Sequence, residues 1–271
     1  TILMGLSGAF IFAAQMFNFP VAAGTSGHLL GGVLAGFLLG PWAGSVVMAT
    51  VIGIQALLFQ DGGLLALGAN IFNMGVIGTL GGTLVARGIA ATLGNARRAT
   101  LIGVGVAAWL SVMAAAGFTT LQLGLSGTTD ISIGLPAMLG THALIGLGEA
   151  LISVSAISFI AVSAPEIFAK SVPAAPTSPR RRVAAGLLIA GTTVGLASLF
   201  ASTSPDGLEK VATDLGFINT SEAAPFELFA AYSVPGFSGA AGTALAGVIG
   251  TLVVLLLIVL LNRLASARKS S

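Results

Sequence analysis

Long and almost uncharged apolar segments constrain this chain more strongly than any other feature of its sequence. Of its 271 residues, 55% are hydrophobic and only 7% are charged, whereas an average soluble domain has about 25% charged residues. Several segments exceed the roughly 18 apolar residues that a membrane-spanning helix needs. Backbone polar groups inside lipid must be hydrogen-bonded within helices or closed barrels, and unbroken apolar runs favour helices. The sequence therefore predicts an all-α fold, a polytopic transmembrane helical bundle.

The boundaries of the predicted membrane segments follow these apolar runs. The segments are 2–19, 27–40, 42–59, 70–91, 99–118, 135–165, 183–201 and 239–262. Segment 27–40 is short and ends at Gly40-Pro41, a dipeptide that predicts a break. Segment 135–165 is long for a bilayer, which favours a tilt or a kink.

The distribution of basic residues predicts how the segments are oriented. Ten of the eleven fall in the loop and helix end at 87–98, in the stretch 170–182 and in the tail at 263–269, and Lys210 is the exception. Basic loops favour the cytoplasmic side, and placing all three there lets every segment alternate. The loop that carries His28, the acidic loops at Asp61 and Asp130, and residues 202–238 then face outward. We expect a multi-pass protein of the inner (plasma) membrane with a cytoplasmic C-terminus, in contact with lipid and not with nucleic acid.

A stretch rich in proline and arginine predicts two modules. Residues 169–182 have the composition of an extended cytoplasmic connector. They separate a multi-helix module (1–168) from a two-helix module (183–271), whose outward loop spans 202–238. A loop of this length is usually either functional or disordered.

The glycine content indicates how the helices pack, and the lack of cysteine excludes several kinds of site. The 38 glycines, including Gly32, Gly36 and Gly40 at four-residue spacing, indicate close packing between membrane helices. The chain has no cysteine, which excludes disulfides, thiolate metal sites and thiol redox chemistry.

His28 is the leading candidate for a functional residue. It is one of two histidines, and it lies among small and polar residues in the run NFPVAAGTSGHLLGG. A neutral imidazole is the commonest metal-ligating side chain, although a lone membrane histidine is more often a hydrogen-bonded packing residue. The neighbouring Thr25 and Ser26 are predicted either to cap the following helix or to orient the imidazole.

Two further polar pairs are candidates with several interpretations. His142 and Glu149 are seven residues apart and share a helix face; they suggest a proton relay, a second metal site or a structural hydrogen-bonded pair, and we favour the last. Asn70 is predicted to cap a helix, and Asn73 either caps it or braces the binding loop.

The outward loop carries an acidic helix. Asp206, Glu209 and Asp214 lie on a predicted helix that starts after Ser204-Pro205, with serine as its cap. A solvated helix face is the favoured interpretation. A surface that collects divalent cations, or a lid over the first module, is the alternative.

Two regions resemble one known family. The run that contains His28, followed by LGPWAGSVVMATVIGIQALLFQDGGLLALGANIFNMGVIG and later by LPAMLGTHALIGLGEALIS, resembles the substrate-binding component (CbiM/NikM type) of nickel/cobalt energy-coupling factor transporters. The segment SPDGLEKVATDLGF, with YSVPG and a closing apolar helix, resembles the PDGLE domain of the small accessory subunit (CbiN/NikN-like). The chain is therefore similar to a fusion of these two components.

The resemblance implies a transporter subunit, not an enzyme, that captures Ni²⁺ or Co²⁺ as its transported substrate, without a resident cofactor. It also implies partners on separate chains: a T component (CbiQ/NikQ-like) and ABC-type ATPases (CbiO/NikO-like). The chain itself has no P-loop motif. In the family, a Met-His opening segment supplies most metal ligands and an interior histidine completes the site. His28 matches that interior histidine, so we expect the opening segment and a first helix upstream of Thr1.

Two other functions are alternatives. One is a proton-coupled secondary transporter or channel that uses His142 and Glu149; the lack of a convincing internal repeat argues against it. The other is a membrane scaffold that does not transport.

Overall fold

The computed structural model describes residues 2–94, 96–163, 179–220, 226, 228–229 and 232–267. Within these residues the chain forms nine α-helices and one two-stranded ribbon. The helices are α1 (Ile2–Gln15), α2 (Gly32–Leu39), α3 (Pro41–Phe59), α4 (Leu67–Thr92), α5 (Arg97–Leu125), α6 (Ile131–Ser163), α7 (Pro179–Phe200), α8 (Gly207–Asp214) and α9 (Gly239–Ala267). The strands β1 (Phe19–Pro20) and β2 (Ser26–Gly27) pair antiparallel.

The predicted fold class is confirmed. Helices α3, α4, α5, α6 and α9 each contain a stretch long and apolar enough to cross a membrane. Helix α1 is apolar but has only 14 residues. Helix α6 has 33 residues, which corresponds to about 50 Å of helix and exceeds a hydrocarbon core of about 30 Å.

The predicted segment 27–40 begins too early. Strand β2 occupies Ser26–Gly27, and helix α2 starts only at Gly32. The residue before the helix, Gly31, has a φ of +77°, a left-handed conformation that glycine adopts without steric cost and that cannot continue a helix backward. His28 therefore lies in an extended turn before the helix, not at the helix start.

Two of the helices contain wide π-helical turns. They are Gln55–Phe59 at the end of α3 and Ile71–Gly81 within α4. Such turns are rare in proteins as a whole, but those that occur are often found at functional sites. Both neighbour the outer loops described below.

The predicted glycine packing between helices is confirmed where α2 crosses α4. A Cβ on Gly32 would lie 2.6 Å from the carbonyl oxygen of Met74 and 2.8 Å from Cα of Gly78. Only the absence of a side chain allows this approach, which seats the short helix α2 inside the bundle.

Helix α1 joins the two predicted modules. It packs against α7 and α9 on one side and against α3 on another, and its Ile11 and Phe12 are fully buried. Helices α4, α5 and α6 form the other flank of the bundle, with α5 packed between its neighbours. The helices of the predicted second module thus pack directly on the first.

Part of the predicted connector is helical. Helix α7 starts at Pro179, so residues 180–182 belong to its first turn. The rest of the predicted connector, residues 169–178, lies outside the described residues, as do the last two residues of the predicted segment 135–165.

The loops predicted to face outward meet at one end of the bundle. The amide of Ser202 donates to the carbonyl of Asn18 over 2.7 Å, and the hydroxyl of Tyr232 donates to the Asp61 carboxylate over 2.6 Å. Ser202 therefore lies at the loop that carries His28, and Tyr232 lies at the end of α3.

Candidate metal-capture site

His28 has one ring nitrogen, Nε2, that makes no hydrogen bond to the part of the chain that the structure describes. The side chain is half-buried, and its Nδ1 lies 3.1 Å from the carbonyl oxygen of Leu29. A carbonyl only accepts, so this contact places the proton on Nδ1 and leaves the lone pair on Nε2. Metal-ligating histidines usually have this arrangement, in which the second nitrogen is bound to a carbonyl or carboxylate.

Glu149 holds the chain two residues beyond His28. Its side chain is fully buried on α6. One carboxylate oxygen accepts from the amide of Leu30 over 2.6 Å, and the other accepts from the amide of Gly31 over 2.9 Å. The first amides of a helix lack partners within the helix and favour a negative group. Glu149 thus serves as a cap for α2 supplied by another helix.

Gln15 holds the same residue from the opposite side. Its side-chain nitrogen, at the end of α1, donates to the carbonyl of Leu30 over 2.8 Å. Leu30 is therefore bound at its amide by α6 and at its carbonyl by α1.

Thr25 and Ser26 do not cap a helix, so that interpretation is wrong. Both are buried, and the residue that precedes α2 is Gly31. The Ser26 hydroxyl donates to the carbonyl of Ser204 over 2.8 Å, and its amide donates to the carbonyl of Pro205 over 2.8 Å. The carbonyl of Thr25 accepts from the amide of Val21. The hydrogen bonds of both residues fix the backbone that leads to His28. A role of Thr25 and Ser26 in supporting a metal site stays a prediction.

His142 and Glu149 do not form the predicted hydrogen-bonded pair. Nδ1 of His142 lies 2.8 Å from the carbonyl of Met138, one turn earlier on α6, whereas both Glu149 oxygens are taken by the start of α2. Two turns of helix separate the side chains by about 10 Å along the axis, and each found a nearer backbone partner.

His142 instead contacts the outer loop. A Cβ on Gly207, the first residue of α8, would lie 2.7 Å from Cε1 and 2.9 Å from Nε2 of His142. The same Cβ would lie 2.7 Å from Cδ1 of Ile145, and a Cβ on Gly27 would lie 2.6 Å from Cγ2 of Ile145. The turn before His28, the middle of α6 and the start of α8 therefore meet at one point.

Asn70 and Asn73 bind partners other than those predicted. Asn70 lies inside α4, after its first turn, and its side chain donates to the carbonyl of Gly62 over 3.2 Å. It is not a cap, because the helix begins earlier. Asn73 is buried and bonds to Thr119 and Gln122 of α5. It joins two helices and makes no hydrogen bond to the loop that contains His28.

The acidic residues of α8 are occupied within their own helix. The cap is Asp206, not Ser204: the Asp206 carboxylate accepts from the amide of Glu209 over 2.8 Å, and Glu209 accepts from the amide of Asp206 over 3.1 Å. This reciprocal arrangement is a capping box. Asp214 pairs with Lys210 one turn earlier. The favoured interpretation, a capped helix face, agrees with these contacts.

Within the described part of the chain, no three His, Cys, Asp or Glu side chains lie close enough to hold a metal ion together. The described residues therefore do not place two further side chains of these four types around His28.

The sequence interpretation missed two contacts of the outer loop. One is the close approach of Gly207 to His142. The sequence feature that could have indicated it is a glycine directly after the helix cap Asp206. The other is the stacking of Tyr232 on Phe59, with ring centroids 4.8 Å apart. No local pattern marks that second contact, since the two rings are far apart in sequence.

Comparison with known proteins identifies both parts of the chain. Residues 1–167 match the family described as the cobalt uptake substrate-specific transmembrane region, and residues 180–267 match the PDGLE domain. A protein of Archaeoglobus fulgidus, provisionally named fused nickel transport protein NikMN, is 38% identical over 268 residues, which cover 98% of this chain and 87% of that protein.

Two further matches agree with this assignment. The fused nickel transport protein NikMN of Rhodobacter capsulatus is 32% identical over 218 residues, which cover 71% of this chain and 63% of that protein. A crystal structure described as a transition metal transporter superposes with a TM-score of 0.52 and 32% identity, over 59% of this chain and 75% of that chain. The chain therefore belongs to the family of the cobalt uptake substrate-specific transmembrane region, a family of nickel and cobalt transport proteins, and carries a PDGLE domain in its second part.

Proposed function

We propose that this chain is the substrate-capturing membrane subunit of an ATP-driven importer of Ni²⁺ or Co²⁺. The observation that carries the proposal is the state of His28: its Nδ1 is oriented by a carbonyl, its Nε2 has no hydrogen bond to any described residue, and its loop is bound on both sides. Membership of a nickel and cobalt transport family supplies the substrate class. Both ions accept imidazole nitrogen.

In this proposal His28 supplies one ligand to the captured ion. A neutral imidazole binds the ion through the Nε2 lone pair, and the carbonyl of Leu29 keeps the ring in that tautomer. The other ligands are of the kind that an opening Met-His segment supplies in the family that the chain resembles. Thr25 and Ser26 support the site by fixing the backbone that leads to His28.

The energy for transport comes from other chains. We propose a T component and ABC-type ATPases as partners, with the C-terminus and all basic residues of the chain except Lys210 on the cytoplasmic side. The outer end, where His28 and residues 202–238 meet, then faces the side from which an imported ion arrives. Residues 1–168 act as the capturing module and residues 183–271 as an accessory module that covers it.

The alternative function, proton-coupled transport through His142 and Glu149, gains no support from their geometry. A relay needs side chains that exchange protons with each other or with water. Both oxygens of Glu149 accept from backbone amides, and Nδ1 of His142 is bound within its own helix.

Substitution of His28 tests the proposal. We expect His28→Ala to abolish uptake of radioactive nickel and cobalt in cells that express the complete transporter with its natural start. We also use Cu²⁺ as a spectroscopic probe of the purified full-length protein. In His28→Ala, the electron paramagnetic resonance spectrum of bound Cu²⁺ is expected to show one nitrogen ligand fewer than in the wild type. His142→Ala is the matched control, because it removes the other imidazole and should keep that ligand. Unchanged uptake and an unchanged spectrum in His28→Ala would refute the assignment.

A further inference from the structure

Glu149 is an unusual residue for its position. Among the described residues, Glu149 is the one charged residue whose side chain is completely buried. It lies within a helix that can cross a membrane. An ionisable side chain at such a place is costly and usually marks a functional role. Here the cost is offset by two backbone donors, because the amides of Leu30 and Gly31 point at the two carboxylate oxygens.

The partners of Glu149 are not spread over the bundle but lie on consecutive residues of one loop. Leu30 and Gly31 follow His28 with a single residue between, Leu29, whose carbonyl orients the His28 ring. Gln15 adds a third hydrogen bond at the carbonyl of Leu30. The two peptide groups of Leu30 are thus fixed by side chains from α6 and α1.

A cap for α2 alone does not explain this arrangement. Helix α2 has eight residues and no side-chain cap of its own. Ser, Thr, Asp or Asn at the N-cap would satisfy its amides locally. A carboxylate supplied by α6 instead ties the start of α2, and the loop before it, to a separate helix of the bundle.

We infer that Glu149 and Gln15 form a clamp on Leu30 that fixes the direction of the His28 imidazole, so that both are positioning residues for metal capture. This inference rests on the proposed role of His28 as a ligand. The clamp sets where Nε2 points when the ion arrives, and it prevents the loop from rotating the ring away. Partners of this kind, one step removed from the metal, typically change metal affinity 10- to 100-fold when they are lost.

Binding of Ni²⁺ to the purified full-length protein, together with its ligand-field spectrum, tests the clamp. Glu149→Gln keeps the size of the side chain but offers one acceptor oxygen and turns an amide donor toward a backbone amide. Glu149→Asp keeps the charge but is one methylene shorter. We expect both variants to bind Ni²⁺ about 10- to 100-fold more weakly, with shifted ligand-field bands. If Glu149→Asp binds as the wild type does, charge alone is sufficient and the clamp is wrong.

Gln15→Met provides a variant that leaves no buried charge unpaired. It removes the hydrogen bond to the carbonyl of Leu30 and replaces Gln15 with an apolar side chain of similar volume. We expect a several-fold weaker affinity for Ni²⁺, together with faster hydrogen exchange in peptides that cover residues 26–34 and unchanged exchange in α5. Should the Glu149 variants fail to fold, this variant decides the matter, and unchanged affinity in it overturns the inference.

Ser153→Ala is the matched control. Ser153 lies one turn after Glu149 on the same helix and is fully buried, and its hydroxyl has no hydrogen-bond partner. We expect wild-type Ni²⁺ binding. His28→Ala separates the two proposals: loss of binding there, combined with wild-type binding in the Glu149 and Gln15 variants, refutes the clamp alone. Retained binding in His28→Ala refutes the ligand assignment on which the clamp rests.

Discussion

The outer loop is bound to the bundle at two places by different kinds of interaction. Its front segment (residues 202–217) uses backbone hydrogen bonds to Asn18 and Ser26, a close approach of Gly207 to His142, and an apolar contact through Val211. Its rear segment (Phe229 and residues 232–234) uses mainly aromatic rings, in addition to the hydrogen bonds of Tyr232 to Asp61 and of the Phe229 amide to Leu58. Tyr232 stacks on Phe59, with Phe229 and Phe12 beside them.

The difference indicates which end holds the loop and which end covers the site. The rear segment anchors the loop on Phe59 and Phe12 by burying apolar surface, and water does not compete for such contacts as it does for hydrogen bonds. The front segment lies beside the residues before His28, and its polar contacts contribute only about 0.5–1.5 kcal/mol each. We therefore expect the front segment to detach before the rear segment does.

The largest effect is expected from removing the anchor ring. Tyr232→Ala should destabilise the rear attachment by about 2–3 kcal/mol, less than for a fully buried aromatic residue because Tyr232 is half-buried. The direct probe is the amide of Phe229, which donates to the carbonyl of Leu58. Its hydrogen exchange should accelerate about thirtyfold or more. Loss of protection at the front segment alone would contradict the division of roles.

A side chain at Gly207 should detach the front segment selectively. Gly207→Val places methyl groups inside His142 and Ile145, and overpacking of this kind costs about 1–3 kcal/mol. The amide of Ser26, which donates to Pro205, should exchange faster while the amide of Phe229 stays protected. The double variant with His142→Ala removes one of the two obstructing side chains and should restore part of the protection. Equal loss at both segments would show that they are not independent.

A smaller effect is expected from the hydroxyl of Ser26. Ser26→Ala removes its hydrogen bond to the carbonyl of Ser204 and keeps the backbone bond, so we expect a loss of about 1 kcal/mol. That corresponds to roughly fivefold faster exchange in the front segment. Thr50→Ala is the control, because the hydroxyl of Thr50 is exposed and bonds only within α3. A larger effect in the control than in Ser26→Ala would refute the assignment.

An effect of similar size at neutral pH is expected from the hydroxyl of Tyr232, and its pH dependence has a definite sign. Burial, and then the charge of Asp61, raise the pKa of Tyr232 well above its usual value. The raised pKa favours the attached loop fully below about pH 10, and this contribution is lost as the pH rises from there through the folded pKa. Tyr232→Phe should lose about 1 kcal/mol at neutral pH and should lack the alkaline decline.

Absorbance of tyrosinate measures this titration directly, because Tyr232 is the single tyrosine of the chain. The folded protein should titrate above the denatured protein. Identical midpoints in the two states would show that the ring is not held against Asp61.

The fold was predictable to the extent that it depends on local composition. Runs of apolar residues located α3, α4, α5, α6 and α9, with boundary errors of up to seven residues, the largest at the end of α5. The start of α2 was missed by five residues, since Leu29 and Leu30 continue the apolar pattern while Gly31 turns the chain. Hydrophobicity indicates which residues avoid water, but it does not report the φ of one glycine.

The candidate site was predictable as residue types but not as an arrangement. His28 and Glu149 stood out because a polar residue in a membrane segment is costly. Glu149 binds Leu30, which is 119 residues away in sequence. This contact depends on the packing of α6 against the start of α2, which no local pattern indicates. The predicted pairing of Glu149 with His142 failed because Glu149 binds the start of α2, while His142 contacts the carbonyl of Met138 on its own helix.

The sequence by itself determined that this protein is a helical membrane bundle, that it has a single histidine at the predicted outer rim, and that it joins two family segments. Only the tertiary structure decided that α6 and α1 hold Leu30, that Gly207 lies against His142 and that Tyr232 stacks on Phe59. The physical reason is range. The choice of a lipid-spanning helix depends on about 20 neighbouring residues, whereas a hydrogen bond or a ring contact depends on which distant groups the packed helices bring within a few ångströms.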